Sequence, residues 1–222
     1  MPVPTGVGLW LFLAVVAACL AWLVFAVVHT APAARRARDG GLAVLAVVVW
    51  LGVASLPVGL GLADPAHPVP VVPIMMGTIF AVAFGTAASP LGARLARLPL
   101  AVLVGFQAMR FPLEIVLHLW AEEGVAPPQM TWTGENVDIV AGITCLVLAP
   151  IADRSRAAAW ASQVVGIALL ANVLRVVGGS VLGLYPDPLL IPFQLPAFWI
   201  APVCVCGALM VHAITLRRLL GS

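Results

Sequence analysis

Residues 98–120 read LPLAVLVGFQAMRFPLEIVLHLW. A membrane-crossing helix needs about 20 predominantly apolar residues, and this stretch supplies them while carrying Gln107, Arg110, Glu114 and His118 at three- and four-residue intervals. On a helix, residues four apart drift by only about 40°, so one face collects all of these side chains. Charge at membrane depth costs roughly 2.5–3.5 kcal/mol per residue on insertion scales and persists where it is paired, lines a cavity or serves a function. The stripe therefore marks a candidate site inside a helical bundle.

The remainder of the chain agrees with that class. Of 222 residues, 63% are apolar and 9% charged, against about 45–50% apolar in soluble domains. Seven stretches are apolar enough to be read as spans: 7–28, 42–62, 71–88, 98–120, 137–151, 157–184 and 196–216. The fifth is short and ends at Pro150. Connections are short, so residues 1–222 read as a single polytopic membrane domain, an all-α bundle of seven transmembrane helices. Every one of the 11 basic residues is Arg, which with the Ala, Val, Leu and Gly bias points to a GC-rich bacterial genome and a multi-pass protein of the bacterial cytoplasmic (inner) membrane.

Arginine placement orients the bundle. Arg35, Arg36, Arg38, Arg94, Arg97, Arg154, Arg156, Arg217 and Arg218 all fall on one side of the seven-span arrangement. The positive-inside rule makes that side cytoplasmic, with the N-terminus outside and the C-terminus inside. The opposite loops hold Asp64, Glu122, Glu123, Glu135 and Asp187 and no Arg. The net charge of +2 thus reports topology and gives no support to nucleic-acid binding. Val16-Ala17-Ala18-Cys19 looks like a lipoprotein cleavage box, but residues 1–10 lack the positive charge of a signal peptide, so an ordinary first span is expected. The proline-rich outer loops 64–73 and 185–196 read as stiff caps. Cys19, Cys145, Cys204 and Cys206 all fall within spans; Cys204 and Cys206 point about 200° apart on a helix, so neither a shared metal nor a disulfide is assigned.

Depth selects the polar residues that matter. Arg110 lies about 16 Å along the helix axis from Pro99, near the middle of a ~30 Å hydrocarbon core. Helical side chains lean toward their N-terminus, so Glu114 is expected to reach down toward Arg110. Pro112 between them cannot donate to the Ala108 carbonyl and predicts a kink there. That pattern fits a lined cavity, or a static intrahelical ion pair. His118 and Glu114 form an i, i+4 pair of possible metal ligands, but only Asp138 or Asn136 offers a third or fourth, so no metal or other cofactor is assigned.

A second informative segment is PPQMTWTGENVDI, residues 127–139. Thr133 or Asn136 suits a helix cap and Asp138 its first turn; alternatively Asp138 faces the groove and meets a cation. Arg175, in the outer half of the sixth span with Asn172 one turn below, is the cation expected. Gln194 stands at the same level, and Trp120 and Trp132 read as interfacial belt residues. Together Arg110, Glu114, Asp138 and Arg175 predict one four-charge cluster of zero net charge. His212, at the inner end of the last span, reads as unrelated to it.

The motifs Gln107-x-x-Arg110-x-Pro112-x-Glu114-x-x-x-His118 and Met130-Thr131-x-x-Gly134-x-Asn136-x-Asp138-Ile139 resemble a family of uncharacterised bacterial multi-spanning proteins, which implies no particular activity. The segment Leu169-Leu170-Ala171-Asn172-Val173-Leu174-Arg175-Val176 is similar to the Asn-x-x-Arg helix of exosortases, membrane transpeptidases. That resemblance implies Arg175 as a catalytic arginine; where those enzymes carry a cysteine this chain has Val140-Ala141-Gly142-Ile143, with Cys145 farther along.

Three functions fit these residues. In the first, a buried polar site open to the extracytoplasmic side binds or processes a polar or anionic lipid-like molecule. Glu114, Asp138 and Arg175 would be catalytic there, and Gln107, Arg110, His118, Asn136, Asn172 and Gln194 would contact substrate. In the second, the same residues are a charge lock within an accessory subunit that binds a partner membrane protein. A third, a proton or solute pathway, is disfavoured because the cytoplasmic half lacks polar residues to continue it. A degenerate exosortase-like transpeptidase is a variant of the first. The distinguishing property is shape: an open, wet, outward-facing cavity, or a dry bundle whose charges pair internally. Retinal bound as a Schiff base is excluded, because the chain has no lysine.

Overall fold

A computed structural model describes residues 2–63 and 71–221 and contains, among them, helices and no strands. Residues 64–70, most of the first proline-rich outer loop and the position of Asp64, lie outside the described residues. Nine α-helices follow in order: α1 Gly6–Thr30, α2 Arg36–Gly59, α3 Val71–Ala88, α4 Pro90–Leu95, α5 Leu100–Phe106, α6 Arg110–Glu122, α7 Ile139–Leu148, α8 Arg156–Val181 and α9 Cys206–Leu220 among the described residues.

Among the described residues, six helical stretches are long and apolar enough to cross a membrane: Gly6–Thr30, Ala33–Gly59, Val71–Ala88, Leu100–Glu122, Arg156–Val181 and Ala197–Leu220. They correspond to six of the seven stretches read from the sequence. The remaining one, 137–151, forms the shorter apolar helix Ile139–Ile151, about 20 Å at 1.5 Å per residue against a ~30 Å core. It is short at both ends for local reasons. Asn136 and Asp138 are drawn into side-chain bonds at its start, and Pro150 tightens its end into a 3-10 turn, Ala149–Ile151.

Proline also shapes the two most enclosed spans. Between α5 and α6 the chain passes through a 3-10 turn, Gln107–Met109, where Pro112 has no N–H to donate to the Ala108 carbonyl and its ring crowds that oxygen in regular α geometry. The last span begins with a 3-10 turn, Ala197–Trp199, and a π segment, Ile200–Val205, that contains Pro202, before α9 proper starts. Serines begin two other helices: Ser89 Oγ accepts from the backbone N–H groups of Leu91 and Gly92 at the start of α4, and Ser155 Oγ from that of Ala158 at the start of α8.

The core sits around α9. Val211 and Ile214 are fully enclosed, and α3, α5 and α8 pack about them. On α1, Phe12 meets Trp120 of α6 with ring centroids 5.0 Å apart. Helix α2 contributes no buried residue and turns Val44, Leu45, Val48 and Val49 outward. That exposed apolar face is what a lipid-facing helix requires, since hydrocarbon solvates Val and Leu as well as a core does.

Candidate functional site

The α5–α6 break aims Gln107, Arg110 and Glu114 into the bundle, and all three are buried. Arg110 is satisfied by two other elements. Its Nε donates to Asp138 Oδ2 at 2.5 Å, its Nη2 to Asp138 Oδ1, and its Nη1 to the Gly166 carbonyl of α8 at 2.8 Å. The guanidinium fork and the carboxylate thus meet in two parallel bonds, the strong planar form of this pair.

Close backbone packing makes that reach possible. A Cβ on Gly142 of α7 would fall inside the backbone of Phe111 on α6, so only glycine lets α7 approach near enough for Asp138 to meet Arg110. The loop before α7 is held by its own side chains. Asn136 Nδ2 donates to Glu114 Oε1 at 2.8 Å and to the Met130 carbonyl at 3.0 Å, while its Oδ1 accepts from the Asp138 N–H at 3.2 Å. Every donor of the Asn136 amide is used, and the loop is locked to α6.

Several expectations are corrected by this geometry. Glu114 does not pair with Arg110: one of its oxygens takes the Asn136 amide and the other, Oε2, is buried with no partner among the described residues. Asp138 stands at the N-cap position of α7 without a capping bond, because two bonds to a guanidinium, with both partners charged, outweigh one bond from a backbone N–H. Thr133 does not cap either; its hydroxyl meets that of Thr131 at 2.8 Å.

Arg175 lies outside the cluster. Gly166 faces Arg110 on α8, and Arg175, nine residues on, stands about 13 Å farther along the axis. There it pairs with Glu135 at 2.6 Å and bonds Asn172 Oδ1 and Tyr185 Oη, with half of its side chain exposed. The four-charge cluster is therefore replaced by two separate pairs, Arg110–Asp138 inside and Arg175–Glu135 above. Asn172 belongs to the upper pair, where its Nδ2 also donates to the Glu135 carbonyl at 2.8 Å. The Glu135 carboxyl is held below its ordinary value, first by the hydrogen bond from Arg175 and then by that from Tyr185.

His118 also leaves the groove. It stacks on Trp132, with centroids 4.2 Å apart, and its Nε2 stands 3.9 Å from Glu122 Oε1 at a partly exposed position. Gln194 is buried, but neither of its amide atoms meets a partner among the described residues, Arg175 included. Among those residues no three His, Cys, Asp or Glu side chains converge as a metal would require. The four cysteines are free and buried.

Sequence reading missed three members of the neighbourhood. His212 is buried on α9, its Nδ1 2.8 Å from Gln163 Oε1. A Cβ on Gly166 would stand 2.9 Å from His212 Nε2 and 3.3 Å from Arg110 Nη1, so the imidazole and the guanidinium share that glycine's empty face. Gln163 and Gly166, three apart on α8, were the available signal; His212 was masked by its nearness in sequence to Arg217 and Arg218. Gln107 joins from the other side, its Nε2 donating to the Ala208 carbonyl at 3.0 Å.

The space left at the centre is small. A void of about 30 Å³ touches Arg110, Glu114, Asn136 and Asp138, near the volume of one water molecule and far below the roughly 300–1,000 Å³ of ligand cavities. Comparison with family models, with curated proteins and with solved structures produced no match to this chain.

Proposed function

We propose that the chain is a non-enzymatic integral subunit of a bacterial inner membrane in which the Arg110 cluster is an internal charge lock. Seven spans, an outside N-terminus and a cytoplasmic C-terminus are part of this reading, supported by the nine loop arginines. One observation carries it: all three nitrogens of the Arg110 guanidinium are engaged by Asp138 and Gly166. Each nitrogen of the guanidinium already has an acceptor inside the bundle, and the adjoining void holds about one water. The lock ties α6, the 131–138 loop, α7 and α8 into one body, a rigid face on which a partner membrane protein would be seated. The transpeptidase reading has less support, because Cys145 is enclosed and Arg175 is committed to Glu135.

A second reading rests on Glu114 Oε2, which is buried and unpaired. A small polar molecule entering from the outer side would find its acceptor there. Both readings are separated by access to Cys145, which is buried on α7, the helix that Asp138 begins. In a Cys19→Ala, Cys204→Ala, Cys206→Ala background, a charged, membrane-impermeant thiosulfonate added outside should leave Cys145 unmodified until the protein is unfolded in SDS. Rapid labelling of the folded protein overturns the lock. Peptide mapping of labelled wild-type protein gives the same decision should the triple variant fold poorly.

A further inference from the structure

A second region of the molecule is open where the Arg110 cluster is closed. Helices α1, α2, α3 and α9 enclose an apolar cavity of about 330 Å³, with Leu23, Val47, Trp50, Val82, Phe106 and Met210 among its walls. Its volume falls in the ordinary range of ligand cavities, about 300–1,000 Å³. Below it a more open space of about 510 Å³ continues between α1, α2 and α4, and the two share Val27, Ala43, Ala46 and Leu91 as common walls. The lower space ends at Asp39, Arg94 and Arg97.

The gap is maintained by ties at its two ends. Above, Trp50 Nε1 donates to the Pro202 carbonyl at 2.8 Å and Trp199 Nε1 to Ser55 Oγ at 2.9 Å, closing α2 against the start of the last span. Below, Arg94 Nη1 meets Asp39 Oδ2 at 2.6 Å. From Asp39 to Trp50 is about 16 Å of helix, which matches one leaflet, half of a ~30 Å core. An apolar slot one leaflet deep with cations only at its mouth has the dimensions and charge order of a phospholipid.

The mouth carries positive charge to spare. Arg97 is exposed and its guanidinium has no partner among the described residues. Arg94 keeps Nε buried and unpaired beside its bond to Asp39. Two guanidinium groups against one carboxylate leave one net positive charge at the headgroup level, where a phosphate is the complementary group. We infer that this crevice holds one acyl chain of an anionic phospholipid, with its phosphate on Arg97 and Arg94. Asp39 competes with that phosphate for Arg94, so it tunes the affinity downward. The inference is independent of the charge lock, and neither fails with the other.

Native mass spectrometry of the full-length protein, exchanged into detergent with phosphatidylglycerol or phosphatidylcholine of identical chains, tests it. Wild-type protein should retain one phosphatidylglycerol about tenfold more than phosphatidylcholine, the size of one charge-assisted hydrogen bond. Arg97→Gln should remove that preference, and Asp39→Asn should raise retention severalfold. Ala46→Trp, which fills the slot and leaves both arginines in place, should abolish retention; Ala46→Leu is the milder version if the Trp variant does not fold. Soluble glycerol phosphate should not compete, because it has no chain to bury. Equal retention of the two lipids overturns the proposal, and so does undiminished retention in both Ala46 variants, which would reduce Arg94 and Arg97 to ordinary surface attraction for anionic lipid.

Discussion

Removing both partners of the Arg110–Asp138 pair should cost clearly less than the sum of the costs of removing each alone. Both side chains are almost wholly enclosed, at 2% and 7% exposure. Arg110→Gln leaves a carboxylate buried without a cation, and Asp138→Asn leaves a guanidinium with the Gly166 carbonyl as its one strong acceptor. Breaking a buried pair by removing one partner costs about 3–5 kcal/mol, because a charge is left uncompensated. In the double variant no charge remains at that depth, so the summed losses of about 6–10 kcal/mol should not be realised. A coupling of about 0.5–3 kcal/mol is the usual range for groups in contact, and the upper end is expected here because the pair is bidentate and dry. Equilibrium unfolding in mixed detergent–SDS micelles, followed by tryptophan fluorescence, reads the three variants against wild type. Losses that add to within about 0.5 kcal/mol would mean that the two side chains do not share one interaction, and the lock would be refuted. The parallel cycle Asp138→Asn with Arg175→Gln supplies the contrast: those losses should add, since Arg175 serves Glu135.

The upper pair gives a pH signature of known sign. Glu135 has its folded value lowered below 4.5 by Arg175 and Tyr185, so its contribution is fully present above about 4.5 and is lost as pH falls through the lower folded value. The stability difference between wild type and Arg175→Gln, measured by thermal unfolding from pH 7 to pH 3, should therefore shrink only on the acid side; a difference that grows on acidification contradicts the pairing. At the inner cluster, Gly166→Ala would press a methyl group against His212 and the Arg110 guanidinium. Overpacking of that kind costs about 1–3 kcal/mol, measurable in the same micellar assay, and an unchanged stability would show that the three residues do not share one face.

Much of the bundle was readable because the bilayer imposes one rule on every span. Backbone groups must be satisfied internally and the exterior must be apolar, so long apolar runs become helices whatever their neighbours. Length and punctuation then do the rest. Pro112 announced the tightened turn before α6, and Pro150 the early end of the 139–151 helix. The start of the last span, by contrast, carried Pro202 in plain view, yet a π segment rather than a simple kink resulted, because the choice among irregular turns depends on what packs against them.

By itself the sequence determined that Gln107, Arg110 and Glu114 would be polar residues at membrane depth, where exposure to lipid is too costly, and left Asn136 and Asp138 between a helix cap and the groove. It could not determine their pairing. Glu114 is one helical turn from Arg110, yet the guanidinium turned to Asp138, 28 positions away. That choice depends on a glycine, Gly142, which permits α7 to close on α6, and on the axial position of α8, which puts Gly166 rather than Arg175 at the level of the cluster. Rotation and axial offset between helices follow from the side-chain packing of the entire bundle, which no local periodicity encodes. The same reason hid His212: its neighbours in sequence are the cytoplasmic arginines, and only the packing of α9 against α8 brought it to Arg110.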